Sequence, residues 1–414
     1  MQLLVKHIRQ LVTVAAHGKR MKAGREMREL GIVENGSVLV QDGVIAWVGR
    51  TDQLGVAIEE DATVIDGDGC IMLPGFIDAH THLLFAGSRA DEFAERASGK
   101  SYQEIAGAGG GILSTVHATR SATKKDLKKV ASQRLDAMLQ HGTTTAEVKS
   151  GYCLTEEGEL KLLEAMKELM DEHYATIIPT FLGAHAVPPE YAGRSDDYVE
   201  LLTGHLLPLV AQRGLARYCD VFCENGYFTV DQSRRLLTKA RELGLGVKIH
   251  ADQLNQIGAS RLGSELRATS VDHLERIDSE GIDALKESGS VAVALPGVSF
   301  FMNERYAPAR RLIDAGIPVA VASDFNPGTC MAFSIPLMMT IACTQMGLTP
   351  EEAITASTLN GAAAVGYSQF VGSVEVGKNA DLVLYDVPDY RHLAYYFGLN
   401  HVAKVIKKGT ILEF

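Results

Sequence analysis

The spacing of hydrophobic residues changes twice along this chain, near residues 70 and 366. Before residue 70, short apolar runs typical of β-strands alternate with polar turns, and the pair Asp42-Gly43 separates two such runs, 37–40 and 44–49. An Asp-Gly pair favours a type I′ turn, because that turn needs positive φ at both central residues. We therefore predict a β-hairpin here. After residue 366 the β pattern returns, at 380–385, 402–406 and 410–412.

Between these ends, short apolar runs alternate with amphipathic helices, which is the pattern of βα units around a parallel sheet. Thr123, Thr229 and Thr349 each precede such a helix and are predicted to cap its first turn. The sequence predicts eight strands in this region, at 75–80, 144–148, 176–181, 219–223, 246–250, 270–273, 291–295 and 318–322.

The chain is therefore predicted to be an α/β protein with an eight-stranded barrel at 71–366. Each β-rich end is too short to form a stable sheet alone. We expect the two ends, 1–70 and 367–414, to combine into one small β domain beside the barrel.

Composition limits the classes of protein to which the chain can belong. Of 414 residues, 46% are apolar and 22% are charged, which is typical of a globular protein and excludes a disordered one. Lys and Arg number 40 against 51 Asp and Glu, a formal charge of −11 that argues against a nucleic-acid partner. Six cysteines, mostly within apolar runs, predict reduced thiols in a cytoplasmic protein. The longest apolar run, 335–346, is shorter than the roughly 20 residues of a membrane helix, so we expect no membrane partner.

Histidines and an aspartate stand at the ends of several predicted strands. His80 and His82 are two apart at the end of the first strand, so their side chains point to the same side. His250 and His273 end the fifth and sixth strands, and Asp324 follows the eighth. The carboxyl ends of barrel strands meet at one face, where active sites form. We predict that His80, His82, His250 and Asp324 hold a metal ion, because three histidines and a carboxylate suit Zn²⁺ or a similar ion.

These residues and their contexts resemble the amidohydrolase superfamily over nearly the whole chain. The resemblance is carried by the His-Thr-His sequence after 74–78, the strand-end histidines, Ser323-Asp324 and the segment 377–383. It implies a distorted TIM (β/α)8 barrel with a small composite β-sandwich domain from both termini. Five further segments resemble one branch of the superfamily, the ring-opening hydrolases of histidine degradation: 87–93, 149–152, 180–188, 250–253 and 323–329.

The resemblance implies hydrolytic opening of the cyclic amide of 4-imidazolone-5-propanoate, a small-molecule substrate, to N-formimidoyl-L-glutamate by a metal-activated water. It implies one metal ion per subunit, Zn or Fe, with His273 and Asp324 as catalytic residues. Arg89 would bind the substrate carboxylate, because guanidinium pairs with carboxylate in a bidentate way. Further contacts to substrate or product are implied for Tyr152, His185, Gln253, Asn326, Gly328 and Thr329.

Two other functions stay open at this point. Aminohydrolases that act on purines or pyrimidines use the same kind of metal group, although a neutral base needs no cation such as Arg89. A scaffold relative without catalysis would lack metal ligands, and all of the expected ligands are present here. Arg89 can also be a surface ion pair, and Asn326 and Thr329 can simply satisfy a turn.

Further expectations concern the surroundings of the site. Lys149 follows the second strand rather than the fourth, where binuclear relatives often carry a carboxylated lysine, so we expect a single metal ion. We interpret Asp78 as support for a ligand, and we hypothesise a mobile lid at the glycines 109–111. A homodimer is expected from the frequency of two-fold symmetric assemblies.

Overall fold

The structure, a computed structural model, describes residues 1–100, 104 and 110–414. Within these residues, sixteen strands form two sheets. The first five strands are β1 (Gln2–Val12), β2 (Ile32–Gln41), β3 (Val44–Arg50), β4 (Thr63–Asp66) and β5 (Ile71–Pro74). The next eight are β6 (Phe76–Thr81), β7 (Thr143–Lys149), β8 (Thr176–Ala184), β9 (Tyr218–Cys223), β10 (Gly246–Ala251), β11 (Ser270–His273), β12 (Val291–Ala294) and β13 (Val319–Val321). The last three are β14 (Leu382–Tyr385), β15 (Val402–Lys407) and β16 (Thr410–Leu412).

The terminal sheet, β1–β5 with β14–β16, joins both ends of the chain, as the sequence predicts. Its order is β16-β15-β14-β5-β1-β2-β3, with β4 paired to β1. The expected hairpin connects β2 and β3, and its turn residues Asp42 and Gly43 have φ values of 49° and 82°. Strand β5 pairs with β14 and continues through Gly75 into β6, so the chain passes directly from one sheet to the other. The domain bounds at residues 70 and 366 stay a prediction.

The barrel sheet consists of β6–β13, which are parallel and lie in chain order. The eight strands predicted from the sequence are confirmed, each within three residues of its predicted ends. The ring closes where β6 meets the segment after β13. There the amide of Asp324 donates to the His80 carbonyl at 3.0 Å, and the amide of His82 donates to the Phe325 carbonyl at 2.9 Å. This closure brings Asp324 against the two histidines of β6.

The helices lie mostly between successive strands, and their starts follow local sequence signals. Thr123, Thr229 and Thr349 accept hydrogen bonds from amides of the first turn, which confirms the three predicted caps. In the part of the chain that the structure describes, no helix is both long and apolar enough to cross a membrane. The helices are α1 (Ala90–Ala97), α2 (Ile112–Ser121), α3 (Lys124–Gln140), α4 (Glu156–Glu172), α5 (Ser195–Leu201), α6 (Leu207–Gln212), α7 (Val230–Glu242), α8 (Ala259–Glu265), α9 (Ser279–Ser288), α10 (Pro296–Met302), α11 (Ala309–Asp314), α12 (Ile335–Met346), α13 (Pro350–Ser357), α14 (Leu359–Ala364) and α15 (His392–Tyr395). A π-helical turn occupies Leu202–Leu206, and 3₁₀ turns occupy Gly24–Arg28, Thr51–Gln53 and Pro189–Tyr191.

Candidate metal centre and active site

Four side chains from three distant parts of the sequence meet at the carboxyl end of the barrel. His80 and His82 belong to β6 or follow it directly, His250 belongs to β10, and Asp324 follows β13. The Nε2 atoms of His82 and His250 are 3.4 Å apart. Asp324 Oδ1 is 3.2 Å from His82 Nε2 and 3.5 Å from His80 Nε2. Ligand atoms bound about 2.0–2.1 Å from a tetrahedral zinc ion are about 3.3–3.4 Å apart. The group therefore has the dimensions of a metal centre.

Burial and charge also fit these residues to a cation. All four side chains are buried, and among the described residues His80 Nε2 and Asp324 Oδ1 have no hydrogen-bond partner. Burial lowers the pKa of His80 and of His82 well below the usual value. Burial also lowers the pKa of His250 to about 4, although the carboxylate of Asp220 opposes this shift. The imidazoles are thus neutral, as metal ligands must be. The chain contains a His/Asp group able to bind a metal ion.

Two buried aspartates, which the sequence pattern did not predict, lie behind the histidines. Asp272 Oδ2 is 2.7 Å from His80 Nδ1, and Asp220 Oδ2 is 3.1 Å from His250 Nδ1. The sequence signal for these two residues is weak, since each aspartate is only a single charged residue within a short apolar strand.

Asp78 and Lys149 take up positions inside the barrel. Asp78 accepts a hydrogen bond from the amide of Ser323 at 3.0 Å, next to the proposed ligand Asp324. Its interpretation as support for a ligand stays a prediction. Burial raises the pKa of Asp78 to about 7. Lys149, the last residue of β7, donates to Glu147 Oε1 at 2.8 Å and to Asp220 Oδ2 at 2.7 Å. The expectation of a single metal ion stays a prediction.

His273 lies beside the metal group, at the end of β11. Its Nε2 is 4.0 Å from Asp324 Oδ2, and its Nδ1 is 3.4 Å from Glu275 Oε1. Burial lowers the pKa of His273, but Glu275 and Asp324 raise it by more, so its net shift is upward. The φ values of His273 and Asp324 are 80° and 50°, a strained backbone of the kind that clusters at functional sites. The two predicted catalytic residues therefore lie next to each other.

A cavity of about 660 Å³ opens over these residues. Its lining includes the predicted residues His82, Arg89, Tyr152, His185, His250, Gln253, His273, Asp324, Asn326 and Thr329. Lining residues that the sequence analysis did not identify include Phe222, Tyr227, Glu275, Arg276 and Arg305. No local sequence signal marks this second group, because only the fold brings its members to the cavity.

Arg89 is a buried cation at the cavity rather than a surface ion pair. It is 8% exposed, and its Nε and Nη2 donate to Glu92 Oε2 at 2.8 and 2.7 Å. Glu92 also accepts a hydrogen bond from the amide of Gly111 at 3.0 Å. Gly328 lies so close that a Cβ atom there would overlap the Arg89 guanidinium, so the missing side chain makes room for Arg89. Gly109, part of the hypothesised lid, lies outside the described residues.

Tyr152 and His185 form one wall of the cavity beside His82. The rings of His82 and His185 stack with centroids 4.9 Å apart, and the Tyr152 ring is 5.2 Å from that of His185. Burial lowers the pKa of His185 to about 3. Its Nδ1 donates to the Gly151 carbonyl at 3.1 Å, so Nε2 is the acceptor of a neutral imidazole. A flat and uncharged wall of this kind suits a planar ring.

The loops after β10 and β13 carry the other predicted contacts. Gln253 lines the cavity, and the two following amides donate to the buried carboxylate of Glu224 at 2.9 and 3.0 Å. Asn326 Oδ1 accepts from the amides of Gly328 and Thr329 at 2.9 and 2.8 Å, and its Nδ2 donates to Thr329 Oγ1 at 2.7 Å. Asn326 therefore builds the turn and lines the cavity at the same time.

Known proteins match this chain in sequence over nearly its full length. The model of the amidohydrolase family matches residues 71–412. The chain is 48% identical to an imidazolonepropionase from Geobacillus kaustophilus (strain HTA426), over 99% of this chain and 97% of the relative. It is 48% identical to an imidazolonepropionase from Symbiobacterium thermophilum, with the same coverage of both chains. It is 46% identical to one from Porphyromonas gingivalis, over 100% of this chain and 97% of the relative.

Solved structures share the fold at much lower sequence identity. A zinc-bound adenosine deaminase from Xanthomonas campestris superimposes with a TM-score of 0.69 at 19% identity, covering 99% of this chain and 92% of the other. Atrazine chlorohydrolase from Arthrobacter aurescens, in complex with zinc, superimposes with a TM-score of 0.72 at 17% identity, covering 99% and 95%. These structures confirm the barrel and its accompanying β domain. Because relatives that are 48% identical match it over nearly the full length, the chain belongs to the amidohydrolase family and, within it, to the imidazolonepropionases.

Proposed function

We propose that this chain opens the cyclic amide of 4-imidazolone-5-propanoate by hydrolysis and releases N-formimidoyl-L-glutamate, a step of histidine degradation. One observation carries the proposal: three members of the His/Asp metal group, His82, His250 and Asp324, line the same cavity as the buried cation Arg89. Relatives that share nearly half of their residues with this chain are named imidazolonepropionase. The substrate has a cyclic amide, a planar ring and a carboxylate, and the cavity offers a partner for each of the three.

In this proposal His80, His82, His250 and Asp324 would hold one ion of Zn or Fe per subunit. These four residues belong to two overlapping groups whose ligand atoms lie close enough to share an ion, His80 with His82 and His250, and His80 with His273 and Asp324. An ion in this position supplies Lewis acidity and lowers the pKa of a water toward about 7, so that a hydroxide nucleophile is available at neutral pH. The protein contributes neutral imidazoles and one buried carboxylate that are brought together by the closed barrel.

Asp324 transfers the proton and His273 stabilises the developing charge in this mechanism. Asp324 accepts the proton of the attacking water, because its carboxylate lines the cavity and lies 3.2 and 3.5 Å from the Nε2 atoms of His82 and His80. His273 donates a hydrogen bond to the oxyanion that develops on the ring carbonyl. When the tetrahedral intermediate collapses, the amide C–N bond breaks and the proton passes to the departing ring nitrogen. One water has then been added across one C–N bond.

The remaining residues orient the substrate. Arg89 binds the propanoate carboxylate, and Glu92 and Gly328 keep its guanidinium at the cavity. Tyr152 and His185 contact the flat face of the ring, and Gln253 and Thr329 offer hydrogen bonds to its edge. Asn326 holds the turn that places Thr329 at the cavity.

The second candidate is an aminohydrolase that acts on a purine or pyrimidine, a class supported by the fold shared with an adenosine deaminase. Arg89 argues against it, because a guanidinium that lines the cavity can bind a substrate carboxylate, which a purine or pyrimidine base does not have. A scaffold protein without catalysis is disfavoured because the metal group is complete.

The deciding experiment is incubation of the purified protein with 4-imidazolone-5-propanoate, followed by quantification of N-formimidoyl-L-glutamate. We expect release that stops after treatment with a chelator and returns when Zn²⁺ or Fe²⁺ is added back. Adenosine and cytosine serve as control substrates. Turnover of a control base in place of the imidazolone acid would favour the second candidate, and no turnover by metal-loaded protein would contradict the proposed function.

The choice between Zn and Fe, the number of ions, the homodimer and the cytoplasmic location stay predictions. Metal analysis of protein purified without added metal distinguishes one ion from two and zinc from iron. The homodimer rests on the frequency of two-fold assemblies.

A further inference from the structure

Two carboxylates that do not line the cavity lie directly behind proposed metal ligands. Asp272 Oδ2 is 2.7 Å from His80 Nδ1, and Asp220 Oδ2 is 3.1 Å from His250 Nδ1. Both aspartates are completely buried. The other ring nitrogens, His80 Nε2 and His250 Nε2, face Asp324 and His82 within the metal group. Each aspartate therefore meets its histidine on the side away from the ion position.

The partner of one imidazole nitrogen decides what the other nitrogen can do. An acceptor at Nδ1 places the ring proton there and leaves the lone pair of Nε2 for a metal ion. The same contact fixes the rotation of the ring about its χ2 torsion, which is otherwise broad. Asp272, which is hydrogen-bonded to His80 Nδ1, thus sets the tautomer and the direction of that ligand, and Asp220 faces the corresponding nitrogen of His250 at 3.1 Å.

A buried ammonium holds the two carboxylates in place. Lys149 Nζ donates to Asp220 Oδ2 at 2.7 Å and to Glu147 Oε1 at 2.8 Å, and it lies 3.8 Å from Asp272 Oδ2. The Nζ of Lys248, equally buried, lies 3.7 Å from Asp272 Oδ2. Burial lowers the pKa of Lys149, but the three carboxylates raise it by more, so the ammonium keeps its charge. The aspartates are therefore fixed by contacts within the barrel, without help from the ion.

We propose that Asp272 and Asp220 are positioning residues of the metal centre, which orient His80 and His250 and prepare their Nε2 atoms for the ion. This inference rests on the metal centre of the proposed function. Glu147 offers a matched control, because it is an equally buried carboxylate of the same network whose hydrogen-bond partner is Lys149 rather than a histidine.

The test measures the affinity of metal-free, full-length protein for Zn²⁺ by competition with a chromophoric chelator. We expect D272N and D220N each to lower this affinity about 10- to 100-fold, the usual effect of losing the partner of a ligating histidine. E147Q should bind Zn²⁺ nearly as wild-type protein does, because it removes the same charge without touching a ligand. The visible absorption of Co²⁺-loaded D272N and D220N should differ from wild type, since it reports ligand geometry rather than stability.

The possible results distinguish a failure of the positioning role from a failure of the metal centre itself. Wild-type protein that binds no Zn²⁺ contradicts the metal centre itself. Wild-type binding combined with unchanged affinity in D272N and D220N overturns only the positioning role. A loss in E147Q as large as in the two aspartate variants overturns it as well, because the network would then act through its total charge.

Removal of one buried charge strongly destabilises a protein, so the folding of each variant is checked by circular dichroism. If D220N does not fold, the charge-balanced variant D220N/K149M replaces it, and D272N/K248M replaces D272N in the same way. We expect the double variants to fold and to bind Zn²⁺ weakly. Wild-type affinity in a folded double variant contradicts the proposal.

Discussion

Arg89 is the residue on which the choice of substrate depends in our proposal. Its guanidinium is buried at the cavity and held by Glu92. A hydrogen bond to a charged group contributes about 1.5–3 kcal/mol, so Arg89→Ala should raise KM for the imidazolone acid roughly 10- to 100-fold. We expect a smaller change in kcat, because the carboxylate is remote from the reacting carbonyl. Steady-state kinetics of N-formimidoyl-L-glutamate release measure both constants.

Two variants control this experiment. Arg261→Ala removes an exposed cation that pairs with Glu280, and it should leave KM unchanged. Arg89→Lys keeps the charge but loses the planar fork of the guanidinium, so its KM should lie between those of wild type and Arg89→Ala. An unchanged KM in Arg89→Ala would contradict the proposal that the substrate carries a carboxylate.

At the scale of elements, helix α4 holds the loop that carries Tyr152. Glu159, in the first turns of α4, accepts hydrogen bonds from the amides of Gly151, Cys153 and Leu154 at 2.9, 3.0 and 2.8 Å. The amide of Glu159→Gln has one acceptor oxygen in place of two, so buried amides of the loop lose their partner at a cost of about 1–3 kcal/mol. We expect urea denaturation to show this loss, and we expect KM to rise because Tyr152 loses its fixed position.

Glu157→Gln is the matched control, since Glu157 lies in the same part of α4 but is exposed. It should leave both the denaturation midpoint and KM close to wild type. Equal midpoints for the two variants would mean that the Glu159 carboxylate does not hold the loop.

Elements could be predicted from the sequence where the signal is local, and contacts between elements could not. The pair Asp42-Gly43 and the cap Thr123 act within their own turns, so both were predicted correctly. The proposed ligand group could also be predicted from the sequence, because the topology of a barrel brings strand ends to one face. The contact between Asp272 and His80 joins residues 192 positions apart, and no local pattern of charge or spacing indicates that they meet.

At the scale of the whole molecule, the two sheets meet at a buried ion pair that no sequence pattern indicated. Lys407 of β15 pairs with Asp381, which precedes β14, and both side chains are 2% exposed. Lys407 Nζ also donates to Thr176 Oγ1, at the start of barrel strand β8, at 2.8 Å. The Asp381 carbonyl accepts a hydrogen bond at 2.9 Å from the amide of Gly75, where the chain passes between the sheets. We therefore expect the two sheets to unfold together.

Lys407→Met tests this cooperativity, because it leaves the Asp381 carboxylate buried without its cation, at a cost of about 3–5 kcal/mol. Trp47, the only tryptophan of the chain, lies in β3 and reports on the terminal sheet by fluorescence, while far-UV circular dichroism follows the helices around the barrel. For Lys407→Met we expect both signals to change in a single transition with one common midpoint, at a lower urea concentration than for wild-type protein. Lys404→Met, exposed on the same strand, is the control, and K407M/D381N should regain part of the loss. Separate transitions for the two signals in wild-type protein would contradict a single folding unit.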